Sequence, residues 1–319
     1  MEKRVLTFSN QGISVIGTGG SIYNPDQQYK KNFENVINNS YKNGINFFDT
    51  AQDYNQGLGE KYLGNVLHQI NRKSFVVGTK FHAVSQDEVV PLVKESLRNL
   101  RLDFIDILYI HWPKKNIDLK DMMIGLEKCR RLGLIKAIGA SNMSIKNLID
   151  INQVGHLDVY QLCYNLLWRK DEYEVIPYCK KNNIDLVVYS SLAQGILTGK
   201  YAKNLELAEG DVRRNSIYFQ PNVWPLIYET VEEFKKIAIR ENVPLAKLAI
   251  EWALKNQSVV SCLISMKNIS QSNQIISMFN DNNYKLSQIV YKELTQISNN
   301  LLSEKIFENV SNIFRYNPN

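Results

Sequence analysis

The chain has few cysteines, no long apolar run and no strong charge bias. Its 4 cysteines in 319 residues form no CxxC pair, so a disulfide framework is not expected and a reduced, cytoplasmic location is favoured. No stretch approaches the roughly 20 apolar residues of a membrane span, and the first residues lack the apolar run of a signal sequence. The net charge is +6, without a basic block. Neither nucleic acid nor a membrane is an expected partner, although a bound anionic cofactor would be consistent with the positive net charge.

The dominant pattern is an alternation of short β-branched runs with helical stretches. One such stretch repeats apolar residues at helical spacing between Val89 and Leu100. The strands are continuous apolar runs, which is typical of buried parallel strands. The expected strands are Ser14–Ile16, Ile45–Asp49, Phe75–Thr79, Ile105–His111, Lys136–Ala140, Val159–Tyr164, Asp185–Ser190 and Val259–Ile264. Eight strand–helix units predict the α/β class and a closed (β/α)₈ TIM barrel.

The chain is expected to form a single domain over residues 1–319, since no Pro-, Gly- or Ser-rich linker interrupts the series. The segment Tyr201–Pro225 breaks the regular pattern and is expected to be a long loop after the seventh strand. One more helix is expected near the end of the chain, around Leu286–Leu301.

Reactive side chains end three consecutive strands. Asp49 ends the second strand, Lys80 directly follows the third and His111 ends the fourth, while Tyr54 lies just beyond Asp49. Because active sites of α/β barrels lie at the carboxyl ends of the strands, these four residues are expected to meet.

Several segments resemble the aldo-keto reductase family, in matching order and spacing. They are Phe47–Tyr54, Val76–Lys80, Leu108–Pro113, Gly139–Asn142, Tyr160–Arg169 and Tyr189–Tyr201. The resemblance implies a barrel enzyme that reduces an aldehyde or ketone with NADPH, or runs the reverse oxidation. It also implies a catalytic tetrad of Asp49, Tyr54, Lys80 and His111.

The tetrad has a physical rationale of its own. A carbonyl that accepts hydride needs a proton on its oxygen, and Tyr54 is the expected general acid. A free tyrosine has a pKa near 10, so Lys80 is expected to lower this pKa while Asp49 keeps Lys80 charged. His111 is expected to orient the carbonyl.

The resemblance also implies the residues that hold the cofactor. Ser141, Asn142 and Gln161 should bind the nicotinamide carboxamide, and Tyr189 should stack on the ring. The other members of the expected set are Thr18, Asp49, Ser190, Leu192, Gln194 and Lys200, the last four around the pyrophosphate.

The adenosine end of the cofactor is expected near Lys267 and Gln271, with Arg213 or Arg214 as an additional cation. Many relatives carry arginine where this chain has Gln271. A carboxamide does not match phosphate geometry as guanidinium does, so a reduced preference for NADPH over NADH is expected.

The expected substrate-binding residues are Tyr23, Tyr54, His82, His111 and Trp112. Relatives often carry aromatic residues where this chain has Gly19 and His82. A roomier, more polar pocket is therefore predicted, which favours a hydroxylated or sugar-like carbonyl.

Two other activities fit the same residues. One is a cofactor-binding, redox-sensing subunit resembling potassium-channel β subunits, which the short stretch before the first strand makes less favoured. The other is elimination or epimerisation by transient redox chemistry.

Gly17–Ile22 does not complete a Rossmann fingerprint, and Gly195–Tyr201 is one residue short of a Walker A loop. The 4 histidines lack paired spacing, so no metal is expected. The oligomeric state is left open.

Overall fold

The computed structural model describes residues 1–20, 27–280, 284–308 and 310–314. Among these, the strands are β1 (Lys3–Val5), β2 (Gly12–Ser14), β3 (Ile16–Gly19), β4 (Phe47–Asp49), β5 (Val76–Phe81), β6 (Ile105–Ile110), β7 (Ile135–Ser141), β8 (Val159–Cys163), β9 (Asp185–Tyr189) and β10 (Val259–Ile264). The α-helices are α1 (Gln27–Lys42), α2 (Gly59–Leu67), α3 (Gln86–Leu100), α4 (Leu119–Arg131), α5 (Ile145–Asn152), α6 (Val175–Lys181), α7 (Trp224–Arg240), α8 (Leu245–Leu254), α9 (Ile269–Asn280) and α10 (Gln288–Ser303).

Strands β3 to β10 close a parallel barrel in the order β10-β3-β4-β5-β6-β7-β8-β9. The predicted eight-stranded (β/α)₈ barrel is thus confirmed. Strands β1 and β2 pair antiparallel as a separate hairpin. Among the described residues, no helix is both long and apolar enough to cross a membrane.

The chain divides into two compact units. The first consists of residues 1–162, 171–189 and 257–280, and it carries the barrel apart from Cys163. The second consists of residues 163–170, 190–256 and the described part of 281–319, and it carries α7, α8 and α10. Organisation as a single domain over residues 1–319 stays a prediction.

In several barrel strands the inward-facing residues change from apolar to polar along the strand. Because side chains alternate between the two faces of a strand, Val76, Gly78 and Lys80 share one face of β5. On β6, Ile107 and Tyr109 share the face that leads to His111. The inward series of the other strands end in Asp49, Ser141, Gln161 and Tyr189. Polar groups are therefore concentrated at the carboxyl end of the barrel.

The amino end of the barrel is filled with apolar side chains. Leu6 and Ile13, which flank the turn of the β1–β2 hairpin, are buried in one cluster with residues from the strands. The strand residues in this cluster are Phe47, Val76, Ile107, Tyr109, Ala137, Val159, Val187 and Val260. The hairpin therefore closes the barrel on the side opposite the polar residues.

Helix α3 shows how the surrounding helices are specified. Ser85 and Glu88 form a capping box at its start, which satisfies backbone N–H groups that have no partner inside the helix. The residues buried along the helix recur at three- and four-residue spacing: Val89, Val93, Ser96, Leu97 and Leu100. This is the face that periodicity predicts.

The first barrel strand differs from its predicted position. The sequence places it at Ser14–Ile16, whereas Ser14 ends β2 and the barrel strand runs from Ile16 to Gly19. The pattern is misleading because Gly17 and Gly19 have low strand propensity. A Cβ atom at Gly19 would lie 1.8 Å from the backbone oxygen of Asp49, so only glycine allows this approach of β3 to β4.

The region after the seventh barrel strand contains more regular structure than a loop. Within Tyr201–Pro225, short 3₁₀ helices span Val212–Asn215 and Ile217–Phe219, and α7 begins at Trp224. The helix expected at Leu286–Leu301 is α10, two residues further along at each end.

Buried carboxylates accept backbone N–H groups at the amino end of the barrel. Asp106 accepts from Val77 N at 2.9 Å, and Arg72 also donates to it. Asp185 at the start of β9 accepts from Thr7 N at 2.8 Å and from Thr7 Oγ1 at 3.0 Å. Burial raises the pKa of Asp185 to about 6, against the two Thr7 hydrogen bonds, which lower it.

Replacing Asp185 with Asn is expected to stabilise the protein above pH 6. A carboxyl whose pKa is raised by folding contributes stability below its unfolded pKa, and this contribution is lost as the pH rises through about 6. The Asn amide keeps an acceptor for Thr7 without the buried charge. We expect a gain of about 1–2 kcal/mol at pH 8, which shrinks towards zero at acid pH. Thermal unfolding across this pH range measures it.

The matched control is Asp106→Asn, in which Arg72 and Lys136 lose a carboxylate partner. This variant should be less stable than wild type at pH 8. Equal stability of wild type and Asp185→Asn at both ends of the pH range would contradict the expectation.

Candidate active site

A buried ion pair lies at the carboxyl end of the barrel. Lys80 Nζ donates to Asp49 Oδ1, and also to the backbone oxygen of Thr50 at 2.7 Å. Lys80 is 1% exposed and Asp49 3%. The second carboxylate oxygen of Asp49 accepts from Gln161 Nε2 at 2.9 Å. Both charges are thus paired and hydrogen-bonded, as burial of an ion pair requires.

Tyr54 and His111 complete the group that the sequence predicts. Tyr54 follows β4 by five residues, and Lys80 Nζ lies 4.8 Å from its ring centroid. The rings of Tyr54 and His111 meet edge to face, with centroids 5.6 Å apart. The structure therefore brings Asp49, Tyr54, Lys80 and His111 together.

The protonation states differ in one respect from expectation. Burial raises the pKa of the Tyr54 phenol, and the charge of Lys80 offsets only part of this effect, so the pKa lies above its ordinary value. Burial alone would lower the pKa of Lys80, but Asp49 and Tyr54 raise it. At neutral pH the Tyr54 phenol is therefore protonated and Lys80 is an ammonium. Lys80 lowers the Tyr54 pKa as expected, but burial raises this pKa by more, so the expected net lowering is wrong.

His111 has two polar neighbours that the sequence does not group with it. Its Nδ1 lies 3.5 Å from Asp53 Oδ1, and His82 Nε2 lies 3.1 Å from Asp53 Oδ2. Burial lowers the pKa of His111, and the charge of Lys80 acts in the same direction. Burial alone would raise the pKa of Asp53, but its interactions with His111 and His82 outweigh burial and hold this pKa at about 2. Asp53 is therefore ionised beside a neutral His111.

The residues expected at the nicotinamide form one hydrogen-bonded group. Asn142 Nδ2 donates to the backbone oxygen of His111 and to Ser141 Oγ, both at 3.0 Å. Tyr189 donates its hydroxyl proton to Asn142 Oδ1 at 2.7 Å. Together with Gln161, these residues offer the amide and hydroxyl groups that a carboxamide binds. The chemistry of the set fits a nicotinamide.

The remaining expected contact within the barrel is Thr18. It is buried in β3, and its hydroxyl donates to the backbone oxygen of Ile264 at 3.2 Å.

The loop expected at the pyrophosphate belongs to the second unit. Ser190, Ala193 and Gln194 all have positive φ, at 51°, 47° and 56°. Strained backbone of this kind is concentrated at ligand-binding loops. Gln194 Oε1 is buried and has no hydrogen-bond partner among the described residues, and an acceptor in this state fits a ligand hydroxyl such as that of a ribose.

The other loop residues are partly or fully exposed. Leu192 is half-buried, and Lys200 is exposed with its ammonium 5.2 Å from the Tyr201 ring centroid. Arg213 is engaged within the same unit: its Nε donates to Asp211 Oδ1 at 2.9 Å, and its Nη1 donates to the Tyr201 hydroxyl.

Lys267 and Gln271 lie between β10 and the first turn of α9. Lys267 is exposed, and the side-chain oxygen of Gln271 accepts from the backbone N–H of Lys267 at 2.9 Å. Gln271 therefore helps to fix the turn, whereas the Lys267 ammonium forms no hydrogen bond or ion pair with the described residues.

The expected substrate residues lie beside His111 where the structure describes them. The His111 ring centroid is 5.2 Å from that of His82 and 6.2 Å from that of Trp112. Tyr23 lies outside the described residues. Glycine is required at position 19 because β3 packs closely on the Asp49 backbone. The lack of an aromatic ring there is therefore weaker evidence for a roomy pocket than the sequence alone implies.

Two contacts are missed by reasoning from the sequence. Asp53 lies inside the segment that resembles the family, but nothing in the sequence links it to His82 and His111. Gln161 is expected at the cofactor, but its bond to Asp49 depends on strand packing that no local pattern reports.

Comparison with known proteins identifies the family of the chain. The family model described as "Aldo/keto reductase family" matches residues 15–299. The chain belongs to this family of oxidoreductases, and the resemblance seen in the sequence is confirmed.

Three relatives illustrate the range of the family. The chain is 27% identical to the NADH-specific methylglyoxal reductase of Escherichia coli, over 91% of this chain and 96% of the relative. It is 27% identical to a probable voltage-gated potassium channel subunit beta of Arabidopsis thaliana, over 85% and 89%. The structure of a glycerol dehydrogenase from Gluconobacter oxydans superposes with a TM-score of 0.82 at 25% identity, covering 99% of this chain and 98% of that one.

Replacing Lys80 with Met is expected to raise the pKa of Tyr54 further, because the neighbouring positive charge is removed. Alcohol oxidation needs the phenolate as base, so its rate should rise with pH until the pKa is reached. In Lys80→Met this increase in the oxidation rate should occur at a pH about one unit higher, or more. The measurement is kcat/KM for oxidation against pH.

Lys136→Met is the control, since Lys136 pairs with Asp106 at the other end of the barrel. It should leave the profile unchanged. An active Lys80→Met variant with the wild-type profile would contradict the coupling of Lys80 to Tyr54.

Proposed function

We propose that the protein reduces an aldehyde or ketone to the alcohol with a reduced nicotinamide cofactor, using Tyr54 as general acid. The observation that carries the proposal is the buried Lys80–Asp49 pair beside a phenol that stays protonated at neutral pH. Such a phenol is in the protonation state that donation to a carbonyl oxygen requires.

The chemistry that the cofactor supplies when bound is a hydride for the carbonyl carbon. Tyr54 gives its proton to the carbonyl oxygen as negative charge develops there. The Lys80 ammonium stabilises the resulting phenolate, and Asp49 keeps Lys80 charged and in place. His111 contributes a ring nitrogen that orients the carbonyl. Ser141, Asn142, Gln161 and Tyr189 hold the nicotinamide end.

We further propose that NADPH is preferred to NADH by a small margin. Lys267 supplies one exposed cation for a 2′-phosphate, and Gln271 cannot act as an arginine does. Arg213 is held by Asp211 and would have to leave it to contribute. The NADH-specific Escherichia coli relative supports a margin narrower than that of family members with the arginine.

The proposed substrate is a small, oxygen-rich carbonyl compound, sugar-like or otherwise hydroxylated. His82 and Asp53 lie beside His111, and their side chains can donate to and accept from hydroxyl groups. The relatives named for methylglyoxal and glycerol act on small oxygenated compounds, which supports the same class. The four cysteines are buried and form no disulfide, in keeping with a proposed cytoplasmic location.

The second candidate function is that of a redox-sensing subunit that binds cofactor while attached to a partner protein. The relative named as a potassium channel subunit beta favours it. Sustained turnover of a carbonyl substrate separates an enzyme from such a sensor.

The test is cofactor oxidation with a panel of hydroxylated aldehydes and flat aromatic aldehydes. Wild type should turn over the hydroxylated compounds with higher kcat/KM. Tyr54→Phe should lose about 10²–10⁴-fold in rate, because the general acid is missing, and should still bind the cofactor.

Tyr41→Phe is a matched control, since Tyr41 is a helix α1 residue whose hydroxyl contacts Ser74 in the first unit. It should retain wild-type rates. A Tyr54→Phe enzyme within twofold of wild type would overturn the assigned acid, and better turnover of aromatic aldehydes would overturn the substrate class.

Lys267→Ala should remove most of the discrimination between NADPH and NADH. A charge-assisted hydrogen bond contributes about 1.5–3 kcal/mol, or roughly tenfold to a hundredfold in affinity. Fluorescence titration should show weaker NADPH binding and nearly unchanged NADH binding in the variant. Tighter binding of NADH than of NADPH by wild type would contradict the proposed preference.

A further inference from the structure

Three potential metal ligands meet at the carboxyl end of the barrel although they are far apart in the sequence. Asp53 lies in the segment after β4, His82 follows β5 directly, and His111 follows β6 directly. The intervals between them are 29 residues each, so no compact ligand motif exists. Their convergence is a product of the parallel barrel, in which the ends of adjacent strands are neighbours.

The distances between these donor atoms suit one ion. In tetrahedral zinc coordination, bonds of about 2.0–2.1 Å place the donor atoms about 3.4 Å apart. His82 Nε2 and Asp53 Oδ2 are 3.1 Å apart, and His111 Nδ1 and Asp53 Oδ1 are 3.5 Å apart. Taking one donor atom from each residue, all three lie within 4.8 Å of one another. The longest separation needs only a side-chain adjustment.

Two of the three ligands are free to make this adjustment. The side chain of His82 is 34% exposed and that of Asp53 is 48% exposed, whereas His111 is buried and fixed. The site therefore has one rigid ligand and two that can rotate towards an ion arriving from solvent.

We propose that Asp53, His82 and His111 bind a divalent transition-metal ion of the zinc class. Two imidazoles and one carboxylate are typical zinc ligands, whereas magnesium prefers an all-oxygen octahedral set. Three protein ligands leave the fourth position for water. The proposal departs from the expectation of no metal, which rested on spacing along the sequence.

Isothermal titration with ZnCl₂ tests the proposal on chelator-treated protein without substrate or cofactor. Wild type should bind one Zn²⁺ per chain. Separate variants His82→Gln and Asp53→Asn should each bind at least about tenfold more weakly, since each removes one ligand. MgCl₂ should give no binding heat.

The matched control is His156→Gln. His156 Nε2 lies 3.5 Å from Asp158 Oδ1, which is a histidine–carboxylate pair without a second histidine. This variant should bind Zn²⁺ as wild type does. Wild type without binding heat, or His82→Gln with wild-type affinity, would overturn the proposal.

A second measurement uses wild type alone and so does not depend on the folding of a variant. In the NMR spectrum of the imidazole nitrogens, Zn²⁺ should shift the signals of His82 and His111 and leave those of His68 and His156 in place. Shifts confined to His68 or His156 would also overturn the site. Neither measurement requires catalytic turnover. Absence of zinc binding would therefore not count against the proposed carbonyl reduction, and absence of carbonyl reduction would not count against the metal site.

Discussion

The ion pair between Lys80 and Asp49 is the constraint on which the site depends. Both side chains are buried inside the barrel, where an unpaired charge would cost several kcal/mol. Each member is therefore held by more than its partner: Lys80 by the Thr50 carbonyl and Asp49 by Gln161. The close packing of Gly19 on the Asp49 backbone helps to position the residue that carries the carboxylate. Tyr54 meets an ammonium whose position is set by three strands, which is why one loop residue can have a defined electrostatic environment.

The parallel barrel supplies the rest of the arrangement by geometry alone. Strands β4, β5, β7 and β8 have apolar residues at the amino end and end in, or contain near the carboxyl end, the polar residues Asp49, Lys80, Ser141 and Gln161. Closing the barrel gathers the polar residues at one end without any of them being near another in the sequence. The meeting of Asp49, Lys80, Gln161 and the two histidines is a consequence of that ordering, whereas Tyr54 reaches the group from the loop after β4.

Much of this could be predicted from the sequence because it depends on local patterns. Apolar runs locate most strands, and Asp49, Lys80 and His111 are the residues that end these strands or directly follow them. The first strand was misplaced because Gly17 and Gly19 are poor strand formers that packing nevertheless requires. The pKa of Tyr54 was misjudged because the charge of Lys80 can be read from the sequence, whereas the depth of burial that opposes it cannot. Asp53 and its two histidines come from three strand ends, and no one-dimensional spacing reports their meeting.

The carboxylates at the amino end of the barrel have a consequence for how such a chain can change. Asp106 and Asp185 join neighbouring segments at the ends of the strands that lie furthest from the reactive side chains. The barrel strands thus have hydrogen bonds that join neighbouring segments at the amino end and the reactive side chains at the carboxyl end. Loops at the carboxyl end can be exchanged or lengthened without disturbing the hydrogen bonds of Asp106 and Asp185. Changes in these loops can therefore alter the substrate range, while the contacts at the amino end of the barrel maintain the stability of the fold.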